Sequence, residues 1–236
     1  MEIIISEKES NARYIAYIYT SLMPILEACG AKSSVSFDGD RISLRFDAGE
    51  RYAPYLRRIA EEKVAEVIAV GYKYELFRAF VKPAGLGKND HEILLAALIS
   101  ADFADDKRYV FMHLKGMKIY CIDGFFNFRL SALKEKWKGV VRCVPPVFTR
   151  EKLTSFMGYL LAGDGGRKVI VRGSEIFDGK YRKLRRATLI EEGISELNGI
   201  REIILSGAGA VECVGLPPPC QEEFLRRYFA GRVSFL

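Results

Sequence analysis

The sequence predicts an α+β protein: an N-terminal helix and hairpin part, a helical middle, and a small C-terminal mixed α/β sheet. Three observations predict it. Alternating apolar and polar residues flank an Asp-Gly turn between 34 and 46. Apolar residues recur at helical spacing through most of 52–161. From 168 onward, extended runs alternate with helical ones.

Taken in order, Ile3–Ile5 reads as a short strand. Ser6 and Glu9 have capping-box spacing, in which hydroxyl and carboxylate each satisfy a free backbone donor. The helix beyond them carries Ile15, Ile18, Leu22, Ile25 and Leu26 on one face, and Pro24 marks a kink or its last segment. Ser34–Phe37 and Arg41–Phe46, joined through Asp38-Gly39-Asp40, read as a hairpin with one buried face. A helical stretch from Tyr52 turns Leu56, Ile59, Val64, Val67 and Ile68 inward, with Gly71 as a candidate interruption before Leu76, Phe77 and Phe80.

Lys82-Pro83-Ala84-Gly85-Leu86-Gly87-Lys88 is the best linker candidate. It divides the chain into regions 1–82, 89–162 and 167–236, with one continuous domain as the alternative. Asn89 caps a helix that buries Ile93, Leu94, Ala97, Leu98 and Ala101. Tyr109–Leu114 and Lys118–Ile122, around Lys115-Gly116-Met117, read as a second hairpin. Asp123 caps a helix with the stripe Phe126, Leu130, Leu133, Trp137 and Val140, which Pro145-Pro146 ends. Thr149 caps the next, with Leu153, Phe156, Met157, Leu160 and Leu161 inward, closed by Gly163-Asp164-Gly165-Gly166. A strand at Lys168–Arg172 then leads through Asp178-Gly179 to a basic run. Helical Leu189–Leu197, a strand Ile203–Leu205, a loop Gly207–Pro219, a helix Gln221–Phe229 and a strand Arg232–Phe235 complete a layered sheet.

With 236 residues, 49% hydrophobic and 28% charged, disordered and collagen-like classes are excluded. The longest uncharged apolar-rich stretch near the N-terminus, Tyr14–Leu26, is 13 residues. A membrane span needs about 20, so no transmembrane segment is expected. The first residues lack a basic region followed by a cleavable apolar one, which argues against secretion. Cys29, Cys121, Cys143, Cys213 and Cys220 are odd in number and form no C-x-x-C pair. Reduced thiols in the cytoplasm are the expectation.

Charge is strongly segregated. Residues 107–187 hold 19 Lys and Arg against 6 Asp and Glu, a balance of +13, while the rest of the chain stands at −7. Such a segment fits an anionic partner: nucleic acid, an acidic protein or an anionic membrane surface. It fits equally a solvated face, or docking of the basic part on the acidic one. Its sharpest cluster is Lys180-Tyr181-Arg182-Lys183-Leu184-Arg185-Arg186. Alternating cations and a tyrosine suit phosphate contact with base stacking, and they also suit a protected sheet edge.

Catalytic patterns fail one by one. Ser206-Gly207-Ala208-Gly209 after Ile203–Leu205 looks like a dinucleotide loop, but Glu212 stands where its third glycine belongs. Gly163–Lys168 lacks the G-K-[ST] order of a phosphate loop. His91 and His113 have no nucleophile or carboxylate at telling distance, and the acidic pairs Glu61-Glu62, Asp105-Asp106, Glu191-Glu192 and Glu222-Glu223 suit solvated faces. Cys213 and Cys220 lack two further metal ligands. No catalytic residue, metal ligand or cofactor is nominated.

The stretch Ile119-Tyr120-Cys121-Ile122-Asp123-Gly124-Phe125-Phe126-Asn127-Phe128-Arg129-Leu130 resembles the strand-to-helix segment of the YtxC-like sporulation proteins, with its G-F-x-N-F-R-L pattern. Two later pieces are similar in order: Leu189-Ile190 through Ile200 to Ile203-Ile204-Leu205, like a helix followed by a strand, and Phe229-Ala230-Gly231-Arg232-Val233, like the terminal F-G-x-R-V. Ser206-Gly207 stand where the family's strand ends in a histidine. The resemblance implies an association with sporulation and no established activity. On the residues themselves, three aromatic rings entering a helix would anchor a hairpin, and Arg129 would reach a carboxylate or carbonyls at another element's end.

The expectation is therefore a sporulation-associated cytoplasmic protein that binds through its basic middle, more a binding protein than an enzyme. The binding residues nominated are Arg129, Lys180, Arg182, Lys183, Arg185 and Arg186. The alternative is an enzyme acting on nucleic acid or a phosphorylated metabolite, with His113, Arg129 and Asp123 converging in one cleft.

Overall fold

The structure is a computed structural model and describes residues 2–47, 49–117, 119–163, 167–191 and 196–236. It is α+β, with an N-terminal mixed sheet and hairpin, a long helical middle, and a C-terminal mixed sheet flanked by helices. Contacts group the chain into two units, residues 1–73 with 104–138, and residues 74–103 with 139–236. The Lys82–Lys88 stretch lies inside the second unit, where Ala84 bridges to Val147.

The first unit is built on four strands, β1 (Glu2–Lys8), β2 (Lys32–Asp38), β3 (Arg41–Asp47) and β4 (Ile119–Cys121), in the order β2-β3-β1-β4. β1 and β2 each pair antiparallel with β3, and β4 pairs parallel with β1. The Asp-Gly turn forms as the alternation predicts, with Gly39 in the left-handed region at φ +59. The core face is carried by Ile3 and Ile5 of β1 and by Ile42, Leu44 and Phe46 of β3. α1 (Ala12–Ala28) buries Ile15, Ile18, Leu22 and Leu26, with Pro24 inside it.

Several expectations change here. Ser6 does not cap α1: it stays in β1, and a short 3-10 turn, Glu9–Asn11, precedes the helix. β2 is exposed along its whole length, so the hairpin's buried face belongs to β3 alone. Gly71 does not end the helix: α2 (Ala53–Glu66) passes through a π-helical segment, Val67–Tyr72, into α3 (Lys73–Phe80). A Cβ at Gly71 would come within 2.6 Å of the buried Tyr14 ring, so close approach is what demands glycine there.

The second hairpin is absent. Tyr109–Leu114 belongs to α5 (Phe103–Leu114), whose Asp106, Val110 and Leu114 are buried at four-residue spacing, one face of a helix. The charged run at 105–108 hid that period. The single helix expected from Asp123 is two, α6 (Ile122–Arg129) and α7 (Ser131–Cys143), and Cys121 holds the N-cap of α6. Phe125 and Phe126 are buried, but Phe128 is 86% exposed, so two of the three rings anchor the segment and the third faces solvent.

The second unit contains α4 (Lys88–Ala101), α8 (Arg150–Gly163), α9 (Glu196–Leu205) and α10 (Pro219–Tyr228). Its strands are β5 (Lys168–Arg172), β6 (Glu175–Asp178), β7 (Ala210–Val214) and β8 (Val233–Phe235), in the order β6-β5-β7-β8. β6 is antiparallel to β5, while β5, β7 and β8 run parallel. Val169, Ile170 and Val171 are consecutive and all buried, so both faces of β5 are covered, as parallel sheets require. Ile203–Leu205 is not a strand. It ends α9, in which every residue from Gly199 to Leu205 is buried, and a short apolar run buried all round fits a helix as well as a strand. The true strand, β7, lies in the stretch read as a loop. The glycine turn at 164–166 falls outside the described residues. Among the described residues, no helix is long and apolar enough to cross a membrane.

Candidate functional site

The nominated basic cluster forms a folded-back turn in the second unit. After β6 the chain reverses, with Tyr181 N donating to Asp178 O at 2.9 Å, Asp178 N to Arg182 O at 2.9 Å and Leu184 N to Ile176 O at 2.8 Å. The Asp178 carboxylate organises this reversal. Its Oδ1 accepts the Lys180 and Arg182 backbone amides, each at 2.9 Å, and its Oδ2 accepts Arg182 Nε at 2.8 Å. Burial works to raise the Asp178 pKa, but these amides and the guanidinium outweigh it and hold the carboxyl below its ordinary range.

The product of that scaffold is Tyr181. Its φ is +58, the one positive value at a described non-glycine residue, and its ring is 66% exposed. A left-handed tyrosine costs roughly 1–2 kcal/mol and persists only where its surroundings impose it. Here the Asp178 hydrogen bonds on either side impose it.

The cations divide by role. Arg182 is tied to Asp178, and Lys183 forms a salt bridge with Glu175. Arg186 turns inward: Nη1 donates to the Leu205 carbonyl at the end of α9 at 3.1 Å, and the guanidinium lies 4.7 Å from the Phe103 ring centre. Lys180 and Arg185 are exposed, and neither side chain has a hydrogen-bond or salt-bridge partner among the described residues. Lys183, Arg185 and Arg172 together keep the Glu175 carboxyl below its ordinary range, Lys183 most of all. The turn and its neighbours thus set five cations, Arg172, Lys180, Arg182, Lys183 and Arg185, against two carboxylates, Glu175 and Asp178.

Arg129 stands apart from this turn in sequence and in unit. It is exposed at the end of α6, not buried against a carboxylate. The +13 segment is likewise divided between the two units, because its boundary with the acidic flanks is not a boundary of the fold. Acids from outside the segment meet several of its cations: Glu66 meets Lys107, Asp106 meets Lys136, Asp90 meets Arg150 and Glu212 meets Lys168.

The three residues of the enzyme alternative are not joined. His113 is exposed on α5 with Nδ1 2.8 Å from the Tyr109 carbonyl, and Asp123 accepts from Arg41 Nη2 at 2.7 Å. Among the described residues, no hydrogen bond or ion pair links His113, Asp123 and Arg129, and no cluster of three or more His, Cys, Asp or Glu is placed to hold a metal ion.

Sequence patterns missed a second set of polar residues, the buried ones of the first unit. Asp106 accepts Lys73 Nζ at 2.7 Å, Lys136 Nζ at 2.8 Å and Trp137 Nε1 at 2.8 Å, and Lys73 is fully buried. Glu66 accepts the Tyr17 hydroxyl at 2.5 Å and the ammoniums of Lys63 and Lys107. Glu61 takes the Tyr120 hydroxyl at 2.8 Å. Tyr72, at the end of the π segment, donates to Glu7 at 2.7 Å, and its ring lies 4.4 Å from that of Phe126. Burial raises the Glu7 carboxyl above its ordinary range despite that bond, and it also raises the phenols of Tyr72 and Tyr120. Each of these acids has donors from within the fold, as a structural framework requires. The only advance signal was apolar neighbours around isolated acids, as in Val64-Ala65-Glu66-Val67.

Two clefts remain. One, about 530 Å³, lies between α5 and α7 beside Asp106, Tyr109, Met112, Leu133 and Lys136. The other, about 510 Å³, is lined by residues such as Met157, Leu161, Ile203, Ile204 and Phe229, with no charged side chain among the described residues. Neither adds a reactive group to those above. Comparison with known proteins returns no matching protein-family model, no similar curated protein and no similar solved structure.

Proposed function

We propose that this chain is a binding protein that takes single-stranded nucleic acid on the turn 178–186. The observation that carries the reading is Tyr181, an exposed ring held in a left-handed conformation between the unpaired cations Lys180 and Arg185. An aromatic face beside cations is the chemistry by which proteins hold single strands: the ring stacks on a base, at about 1–3 kcal/mol, while cations contact phosphates. Stacking also favours nucleic acid over an acidic protein or a membrane surface, neither of which offers a planar base. Lys180 and Arg185 supply phosphate contacts, Arg182 and Lys183 do so at the cost of their internal pairs, and Arg186 supports the turn from beneath. Exposed Arg129 is a cation of the other unit and adds to non-specific attraction.

The resemblance of Ile119–Leu130 to the YtxC-like proteins supports a sporulation-associated setting, and five free cysteines suit the cytoplasm. The test is fluorescence anisotropy with a labelled single-stranded oligonucleotide at rising salt. With two to three phosphates neutralised, the logarithm of affinity should fall with the logarithm of salt at a slope of about −1.4 to −2.1. Lys180→Glu with Arg185→Glu should weaken binding at least about tenfold. Absence of binding at low ionic strength, or binding indifferent to salt and to that variant, overturns the reading. Equal affinity for anionic vesicles overturns the choice of nucleic acid.

A further inference from the structure

The edge strand β2 has a feature that the turn in the second unit does not explain. It is exposed on both faces although its partner β3 carries the core. Val35 and Phe37 lie opposite Leu44 and Ile42, so they share the apolar face of the sheet, yet they are 41% and 63% exposed. Edge strands are normally blunted by proline, a bulge or an inward-pointing charge. Lys32-Ser33-Ser34-Val35-Ser36-Phe37-Asp38 pairs with β3 in unbroken register and has none of these in its centre.

The direction of its backbone follows from the ladder. Glu9 N donates to Asp40 O at 2.7 Å, which extends the β1–β3 register and makes the odd residues of β1 the hydrogen-bonded partners of the even residues of β3. Hydrogen-bonded and non-bonded pairs alternate along an antiparallel ladder. The odd residues of β3 therefore bond the even residues of β2. That leaves the N–H and C=O of Ser33, Val35 and Phe37 pointing outward, and among the described residues no strand pairs with that side.

We propose that β2 is the dimerisation edge of this protein, pairing antiparallel with β2 of a second copy about a two-fold axis at Val35. The strand is complementary to itself in that register. Lys32 falls opposite the partner copy's Asp38 at both ends, Ser34 opposite Ser36, and Val35 opposite Val35. Ser33 meets Phe37, so each ring covers the small side chain across from it. The outward N–H and C=O groups of residues 33, 35 and 37 complete three bonded pairs, and the two sheets become one of eight strands. A register shifted by two residues would move both end lysines off their aspartates, which selects this one. A two-fold contact of this kind uses the same patch on both copies, so one substitution acts twice.

The test uses that doubling. Sedimentation velocity on the full chain should show a dimer at micromolar concentration. Val35→Lys and Val35→Glu, at an exposed site, should each be monomeric because like charges then face each other at the axis, and each should still unfold cooperatively, as a folded monomer does. An equimolar mixture of the two variants should recover the dimer. A wild-type chain that stays monomeric to hundreds of micromolar overturns the proposal, as does a dimer that either variant leaves intact. The nucleic-acid turn lies in the other unit, so anisotropy on the Val35 variants separates failure here from failure there.

Discussion

The buried core of the first unit and the exposed turn of the second use the same side chains in opposite ways. Around Asp106 and Glu66, carboxylates are buried and their lysines, tyrosines and tryptophan are turned inward to satisfy them. In the turn, the Asp178 carboxylate is the internal part and the tyrosine and cations are what it presents. The comparison teaches that a charged or phenolic residue says little by its type. What matters is which member of the pair is removed from water. An acid that loses water must find donors, and so it consumes the groups that would otherwise recognise a ligand. Asp178, at a surface turn, is satisfied by two backbone amides and one guanidinium, and leaves the side chains of Lys180 and Arg185 free.

The largest expected effect lies in the core. Asp106→Ala removes the carboxylate that lies 2.7 Å from the ammonium of the fully buried Lys73. Breaking a buried pair in this way costs about 3–5 kcal/mol. The unfolding free energy from urea titration should fall accordingly, whereas Arg182→Ala, at an exposed pair, should lower it by less than about 1 kcal/mol. Equal shifts for the two would dissolve the contrast between the regions.

The next prediction separates stability from binding. Tyr181→Gly relieves the left-handed strain and should leave the protein as stable or more stable by up to about 1 kcal/mol, while binding to single-stranded oligonucleotide weakens by the stacking contribution, roughly tenfold. Thermal unfolding and anisotropy on the same sample read both quantities. A glycine that unfolds the turn and keeps the affinity would show that the ring is structural.

The smallest effect is in pH, where the two regions differ in sign. The folded Glu7 carboxyl titrates above its ordinary 4.5, so its contribution to stability is fully present below that value and is lost as pH rises through the raised one. The folded Asp178 carboxyl titrates below its ordinary 3.8, so its contribution is present above that value and is lost as pH falls through the lowered one. Glu7→Gln should therefore gain on the wild type as pH rises above 4.5 in denaturant titrations. The Arg182 amide signal should lose its hydrogen-bonded shift only on acidification below 3.8.

Much of the layout was legible in order of residues. The hairpin at Asp38-Gly39-Asp40, the apolar face of α1, the strand β5 and the terminal helix and strand rest on local period and turn chemistry, and all of them formed. Misreadings came where local pattern and burial conflict. Charges on α5 concealed its four-residue period because Asp106 is a buried member of the apolar stripe. Ile203–Leu205 read as a strand because a helix buried on every side has no polar face to reveal its pitch. In the site, the clustering of Lys180–Arg186 was visible. That Tyr181 is left-handed, Arg186 inward and Arg182 paired was not, because the Asp178 hydrogen bonds decide it.

By itself the sequence determined the class of fold, most element positions and the local excess of cations in one turn, since each follows from neighbours along the chain. Only the tertiary structure decided which charges are spent on one another. Glu66 and Lys107, or Asp90 and Arg150, are far apart in sequence, and opposite charges find each other by distance in space. It also decided that β2 is left at an edge, because strand order is set by how helices and sheet share a core, and no alternation within seven residues encodes who lies beside them.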